Sequence, residues 1–145
     1  MVSSYESVEI GETDAFGSYE VTSDEIVSFA EQYDPQQFHT DPEVARESMF
    51  GELVASGWHT AAMTMRMLVD NHLAESGAMG SPGVDELRWR QPVKPGDVLS
   101  VETEYVDKEP WDDGRGVVTT EITTRNQDDD PVLTMTAKVL YRREQ

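Results

Sequence analysis

The chain has 145 residues, the length of one domain, and sets 29 acidic residues against 11 basic ones for a formal charge of −18. Such a surface repels nucleic acid and anionic membranes. The absence of cysteine excludes disulfides and thiolate metal sites, and three histidines without a His-x-x-x-His or Glu-x-x-His cluster carry no metal signature. No apolar run is long enough to span a bilayer. The start Met1-Val2-Ser3-Ser4-Tyr5-Glu6 lacks the basic and apolar regions of a signal peptide. A single cytoplasmic domain over residues 1–145 is therefore expected.

Residues 1–21 read as a lead-in with one or two strands, punctuated by Gly11 and Gly17. Thr22 and Glu25 match a capping box, and Ile26, Phe29, Ala30 and Tyr33 follow at helical spacing. Pro35 disfavours the α conformation at Asp34, so this helix stops there. A second helix is expected from about Asp41 to Ser48, with Thr40 and Glu43 as its capping box and Pro42 in its first turn. From Trp58 to about Ala74 the pattern is helical and apolar over much of its circumference. Trp58, Ala61, Ala62, Met65, Leu68 and Val69 are read as one face, and such a helix is buried on several sides. Residues 76–83 read as a small-residue loop.

Four strand candidates follow, at Leu87–Arg90, Val98–Val106, Val117–Arg125 and Val132–Tyr141. The segment Pro92–Asp97 joins the first two, and Asp112–Gly116 and Asn126–Asp130 are hairpin loops. Helices first, one long buried helix, then antiparallel strands is an α+β pattern.

The segment Tyr33-Asp34-Pro35-Gln36-Gln37-Phe38-His39-Thr40-Asp41 carries the strongest chemical signal. It holds a carboxylate and an imidazole five residues apart between two helix ends. A short loop can aim both at one point, and together they can take and return a proton, as addition of water to a polarised double bond requires. Read alone, the segment is equally a helix–helix connection with Thr40 or Asp41 as an N-cap.

Two further segments, Ala55-Ser56-Gly57-Trp58-His59-Thr60-Ala61-Ala62-Met63 and Ser81-Pro82-Gly83-Val84-Asp85-Glu86-Leu87-Arg88-Trp89, follow in order, together with the Pro92-Val93-Lys94-Pro95-Gly96-Asp97 turn. From about Gly11 onward the combination resembles the MaoC-like dehydratases, which include the (R)-specific enoyl-CoA hydratases. The resemblance implies a hot-dog fold, in which an antiparallel sheet wraps a long central helix. It also implies a homodimer or dimer-based oligomer joined edge to edge, which would cover an open strand edge. The implied reaction is reversible hydration of trans-2-enoyl thioesters of the acyl-CoA type to 3-hydroxyacyl thioesters, with no cofactor and no metal. In that reaction Asp34 and His39 share one water, with Asp34 as main base and His39 as the partner that orients water and passes a proton toward C2. The reverse assignment is chemically equivalent for a coupled pair.

The enolate oxygen formed by attack at C3 needs preorganised donors. The amide of Gly57, at the start of the central helix, offers one. Ser56, Trp58, His59 and Met65 are candidate substrate contacts, although Ser56 also suits an N-cap and His59 a helix-start histidine. Many members of the family carry Asn-Pro where this chain has Gln36-Gln37, which removes a rigid proline from the loop. A CoA ester carries phosphates, so Arg66, Arg88, Arg90 and Lys94 are candidates for a basic island, each equally explained as a surface ion pair.

Two other classes stay open at this point: a hot-dog acyl-CoA thioesterase, which would need an acidic residue on or near the central helix, and a non-catalytic acyl-thioester-binding protein. The acidic residues are dispersed, with Asp128-Asp129-Asp130 the densest run. Acid spread over a folded domain suggests a protein kept dissolved in concentrated salt, and hence a halophilic source.

Overall fold

In the second half of the chain the alternation of apolar residues becomes a sheet. The structure, a computed structural model, describes residues 2–144. Strands β1 (Thr13–Glu20), β2 (Ala78–Trp89), β3 (Val98–Pro110), β4 (Arg115–Arg125) and β5 (Pro131–Arg142) form one antiparallel sheet in the order β1-β3-β4-β5-β2. In β3, Leu99, Val101, Thr103 and Tyr105 are buried and the residues between them are not, which is the period-two pattern of a strand with one face on a core. The β3–β4 and β4–β5 pairs are joined by the hairpins foreseen from sequence. In the second of these, the Asn126 side chain accepts from the amides of Asp128 and Asp130.

The helices are α1 (Ser23–Tyr33), α2 (Gln37–Thr40), α3 (Pro42–Arg46) and α4 (Gly57–Leu68), with a π-helical turn over Val69–Leu73 after α4. The sheet curves around α4, and the core of Met63, Met67, Leu68, Leu99, Val101, Ile122, Val132 and Ala137 lies between them. This is the hot-dog arrangement. Gly17 shows how closely α4 approaches β1. It sits at φ +94 within the register break between Phe16 and Tyr19, and a Cβ there would meet Met67 Sδ at 2.6 Å.

Three details differ from the sequence reading. First, the buried face of α4 is His59, Thr60, Met63, Thr64, Met67 and Leu68, whereas Trp58, Ala62, Met65 and Val69 are exposed. The apolar pattern runs most of the way round the helix, so periodicity alone could not choose the side. The sheet takes the side whose polar residues find partners: Thr64 Oγ1 lies 2.9 Å from Thr60 O and 2.7 Å from Thr124 Oγ1.

Second, the small-residue stretch is no loop but the irregular first half of β2. The register shifts between Ala78 and Gly80, Gly80 and Gly83, and Asp85 and Arg88, with Glu86 at φ +54 within the last break. Third, His39 lies in the helical turn α2. The cap of α3 is Asp41, which accepts from the amides of Glu43 and Val44, rather than Thr40.

Candidate active site

The site begins with the end of a helix. Thr22 caps α1 by accepting from the Glu25 amide. At the far end Asp34 leaves the helical conformation (φ −152, ψ 69) ahead of Pro35, so its side chain stands at the exit. The chain then turns once, through α2, and returns His39 to the same place. Asp34 Oδ2 and His39 Nε2 are 3.6 Å apart, and the His39 ring is buried.

Each member of the pair is held from behind. His39 Nδ1 lies 2.7 Å from Val54 O. A carbonyl accepts only, so Nδ1 carries a hydrogen and donates it, and in the neutral tautomer this selects, Nε2 is the lone pair on the Asp34 side. Phe38 meets the ring edge at 4.4 Å between centroids. The Asp34 carboxylate accepts from Gln36 Nε2 at 2.7 Å on Oδ1 and from Ser56 Oγ at 2.7 Å on Oδ2. Partial burial pushes this carboxyl up. The Ser56 and Gln36 hydrogen bonds, joined by the charge of His39 when that ring is protonated, outweigh that and hold it below its ordinary value.

Ser56 links the pair to α4. It is fully buried, its hydroxyl donates to Asp34, and the same oxygen accepts from the Trp58 amide as the N-cap of α4. The amides of His59 and Thr60 bond to Ser56 O. Gly57, the first residue of α4, is left with a main-chain N–H that has no acceptor among the described residues. Gly57 and His39 line a cavity of about 390 Å³, walled by Phe38, Met49, Phe50, Thr60, Trp89 and Pro92. Arg90 also lines it, with Nε donating to Thr134.

The structure therefore brings Asp34, His39, Ser56 and Gly57 together and directs the remaining candidates elsewhere. Trp58 is exposed and reaches the site only by its edge-to-face contact with Trp89, at 5.0 Å. Met65 faces a separate apolar cavity of about 210 Å³ between α4 and strands β2, β4 and β5. His59 is buried on the α1 side of α4. It stacks on Phe29 at 4.7 Å, and its Nε2 lies 3.3 Å from Glu25 Oε1.

Glu25 was expected to reach back to the cap of α1. Instead its carboxylate also takes the Tyr19 hydroxyl, at 2.5 Å. Burial, reinforced by that carboxylate, pushes the Tyr19 phenol up to about 12. Of the proposed basic island, Arg66 pairs with Asp70 and Arg88 with Glu86, and Arg66 lines the cleft beside Glu25 and His59. Arg66 thus stands apart from Arg90, which lines the cavity of the Asp34–His39 site. Among the described residues no three His, Asp or Glu side chains come together as a metal set, and no helix is long and apolar enough to cross a membrane.

Two members of the site were missed in the sequence. Val54 offers only a carbonyl, which no side-chain signal announces. Trp89 reads as an ordinary apolar strand residue, and only its place just before the Pro92 turn hints that it ends a strand beside the site.

Comparison with known proteins agrees with this fold. The family model described as MaoC like domain matches residues 7–127. The uncharacterized protein YdeM of Bacillus subtilis is 29% identical over 134 residues, covering 92% of this chain and 95% of its own. Among solved structures, the MaoC-like dehydratase from Rhodospirillum rubrum is 41% identical, with 98% of each chain covered and a TM-score of 0.89. The R-hydratase PhaJ1 from Pseudomonas aeruginosa, in its unliganded form, is 26% identical over 97% of this chain and 86% of that one, with a TM-score of 0.76.

Proposed function

This chain belongs to the MaoC-like domain family, and from that premise we propose that it hydrates trans-2-enoyl thioesters of the acyl-CoA type, reversibly, to 3-hydroxyacyl thioesters. The observation that carries the reading is a pair of acceptors, Asp34 Oδ2 and His39 Nε2, 3.6 Å apart beside the free amide of Gly57.

That separation is too long for a good direct hydrogen bond, and one water seated beside the pair can reach both groups. A water that donates one hydrogen to each acceptor keeps its oxygen lone pairs turned outward, toward the C3 of an enoyl thioester. The hydrogen bonds on Asp34 weaken it as a base, which favours His39 Nε2 over Asp34 as the main proton acceptor. In the step, one water O–H bond breaks and its proton goes to His39. The hydroxyl adds to C3, and the electron pair of the double bond moves to the thioester oxygen as an enolate. The Asp34 carboxylate steadies the imidazolium, and the Gly57 amide holds the enolate oxygen. His39 then returns its proton to C2, so the pair ends as it began. Read backward, the same groups dehydrate a 3-hydroxyacyl thioester.

The thioesterase alternative finds no such support. Glu52 is exposed ahead of α4, and Asp70 is paired with Arg66. A short trans-2-enoyl-CoA decides between the two. Loss of its ultraviolet absorbance without free thiol is expected, and thiol release from a saturated acyl-CoA would overturn the reading. Chiral analysis of the product tests the (R) configuration that the family resemblance implies.

The same reading includes a homodimer. The exposed Trp58 and Met65 of α4, Val69 of the π-helical turn and Val84 of the edge strand β2 are the apolar side chains that a second copy would cover. It also includes a halophilic origin, from the −18 charge. The unfolding midpoint is expected to rise between dilute and molar potassium chloride as repulsion is screened. A midpoint that stays level would remove that part.

A further inference from the structure

We propose that Trp89 is a second donor to the thioester oxygen, its indole N–H acting beside the amide of Gly57; this rests on the hydratase reading. Trp89 ends β2, the edge strand, and its ring lies directly on Gly57. A Cβ built at Gly57 would meet Trp89 Cε2, Cδ2 and Nε1 at 2.5, 2.6 and 2.8 Å. The nitrogen-bearing half of the indole therefore faces the start of α4, and only a residue without a side chain leaves room for it. Gly57 is needed here for that close approach.

Trp58 meets the half-exposed Trp89 ring edge to face, at 5.0 Å and 80° between planes. The flanking arginines are occupied, Arg88 with Glu86 and Leu87 O, and Arg90 with Thr134. The indole N–H has no acceptor among the described residues, and it can only donate. Two unmatched donors, one on the main chain and one on the ring, thus sit together at a cavity that His39 also lines. An enolate oxygen needs such a pair when charge moves onto it from C3, and a ring held in place reorganises little as that charge appears.

The test compares the wild-type chain with Trp89→Phe, which keeps a ring and loses the N–H, and with Trp89→Ala, which also loses the wall. With a short trans-2-enoyl-CoA, Trp89→Phe is expected to lower kcat by of order a hundredfold, the usual effect of removing one such donor, with KM little changed. Acetoacetyl-CoA gives a second readout. Bound to wild type its enolate absorbance should strengthen, and bound to Trp89→Phe it should not. A third readout needs no variant to fold: one of the three indole N–H resonances of the wild type should move downfield when acetoacetyl-CoA is added.

A Trp89→Phe enzyme within about threefold of wild-type kcat, with only Trp89→Ala altering KM, would make Trp89 a wall and overturn the assignment while hydration stands. Indole resonances that do not move would do the same. A wild type that leaves the enoyl absorbance untouched would overturn the hydratase reading and this assignment together.

Discussion

Two acid–imidazole pairs occur among the described residues, Asp34 with His39 and Glu25 with His59, and the second is the closer, at 3.3 Å against 3.6 Å. Both histidines are buried. What separates them is where the far ring nitrogen points. His39 Nδ1 is tied to Val54 O, which leaves Nε2 and the carboxylate as neighbouring acceptors that one water beside them can join. His59 turns its Nε2 to Glu25 itself and leaves Nδ1 buried with no partner among the described residues. Glu25 is already held by Tyr19. One pair is poised beside a helix start; the other is closed on itself and fastens α1 to α4. Proximity of an acid and a histidine is therefore a poor guide to chemistry, and the hydrogen bond on the far side of the ring is a better one.

The sharpest way to break this contrast is to remove the poised pair. Asp34→Asn and His39→Ala are each expected to lower the hydration rate by at least about a hundredfold, the scale of a general acid–base contribution. The double variant should lose far less than the product of the two, because they act on one water. Full activity in either single variant would end the mechanism.

A smaller effect is expected at the residue behind the pair. Ser56→Ala removes a donor from Asp34, so its carboxyl should rise from its lowered value, read as a shift to higher pH in the carbon-13 titration of that carboxyl. It also removes the N-cap of α4, costing about 1 kcal/mol in a urea titration. A helix cap with no other role would give the second change without the first.

The smallest effect on rate is expected at the closed pair. Glu25→Gln should leave kcat within about threefold of wild type. The signature of His59 should lie in stability. Burial, partly opposed by Glu25, lowers its affinity for a proton, so the folded state keeps the ring neutral. Below about pH 6.5 the unfolded chain takes up the proton first, and the contribution present above that pH is lost as the pH falls. His59→Phe, which retains the stack on Phe29, should shrink the drop in Tm between pH 7.5 and pH 5.5. Burial lowers the His72 proton affinity in the same direction, so part of that drop should persist.

Strand β3 was legible because it alternates, β4 because it is rich in Thr and β-branched residues, and β5 because Leu133, Met135, Ala137, Val139 and Tyr141 recur at every second position; the chain also marks its own hairpins. The approach of Asp34 and His39 was legible because Pro35 and the cap residues stop the chain on either side of them. The orientation of α4 was not, since residues apolar on nearly every side record no preference. The choice falls to Thr64 finding Thr124, a partner sixty positions away. Nor was the half of β2 that carries Gly80 and Gly83, where bulges replace alternation. Trp89 was invisible for a related reason: its contact with Gly57 joins two segments that nothing local connects.

A single hydroxyl, that of Ser56, both starts the central helix and steadies the Asp34 carboxylate. Deuterium uptake at the first turn of α4 and turnover should therefore rise and fall as one signal. Fraying of that corner by heat or denaturant would silence the enzyme while the sheet still holds its shape.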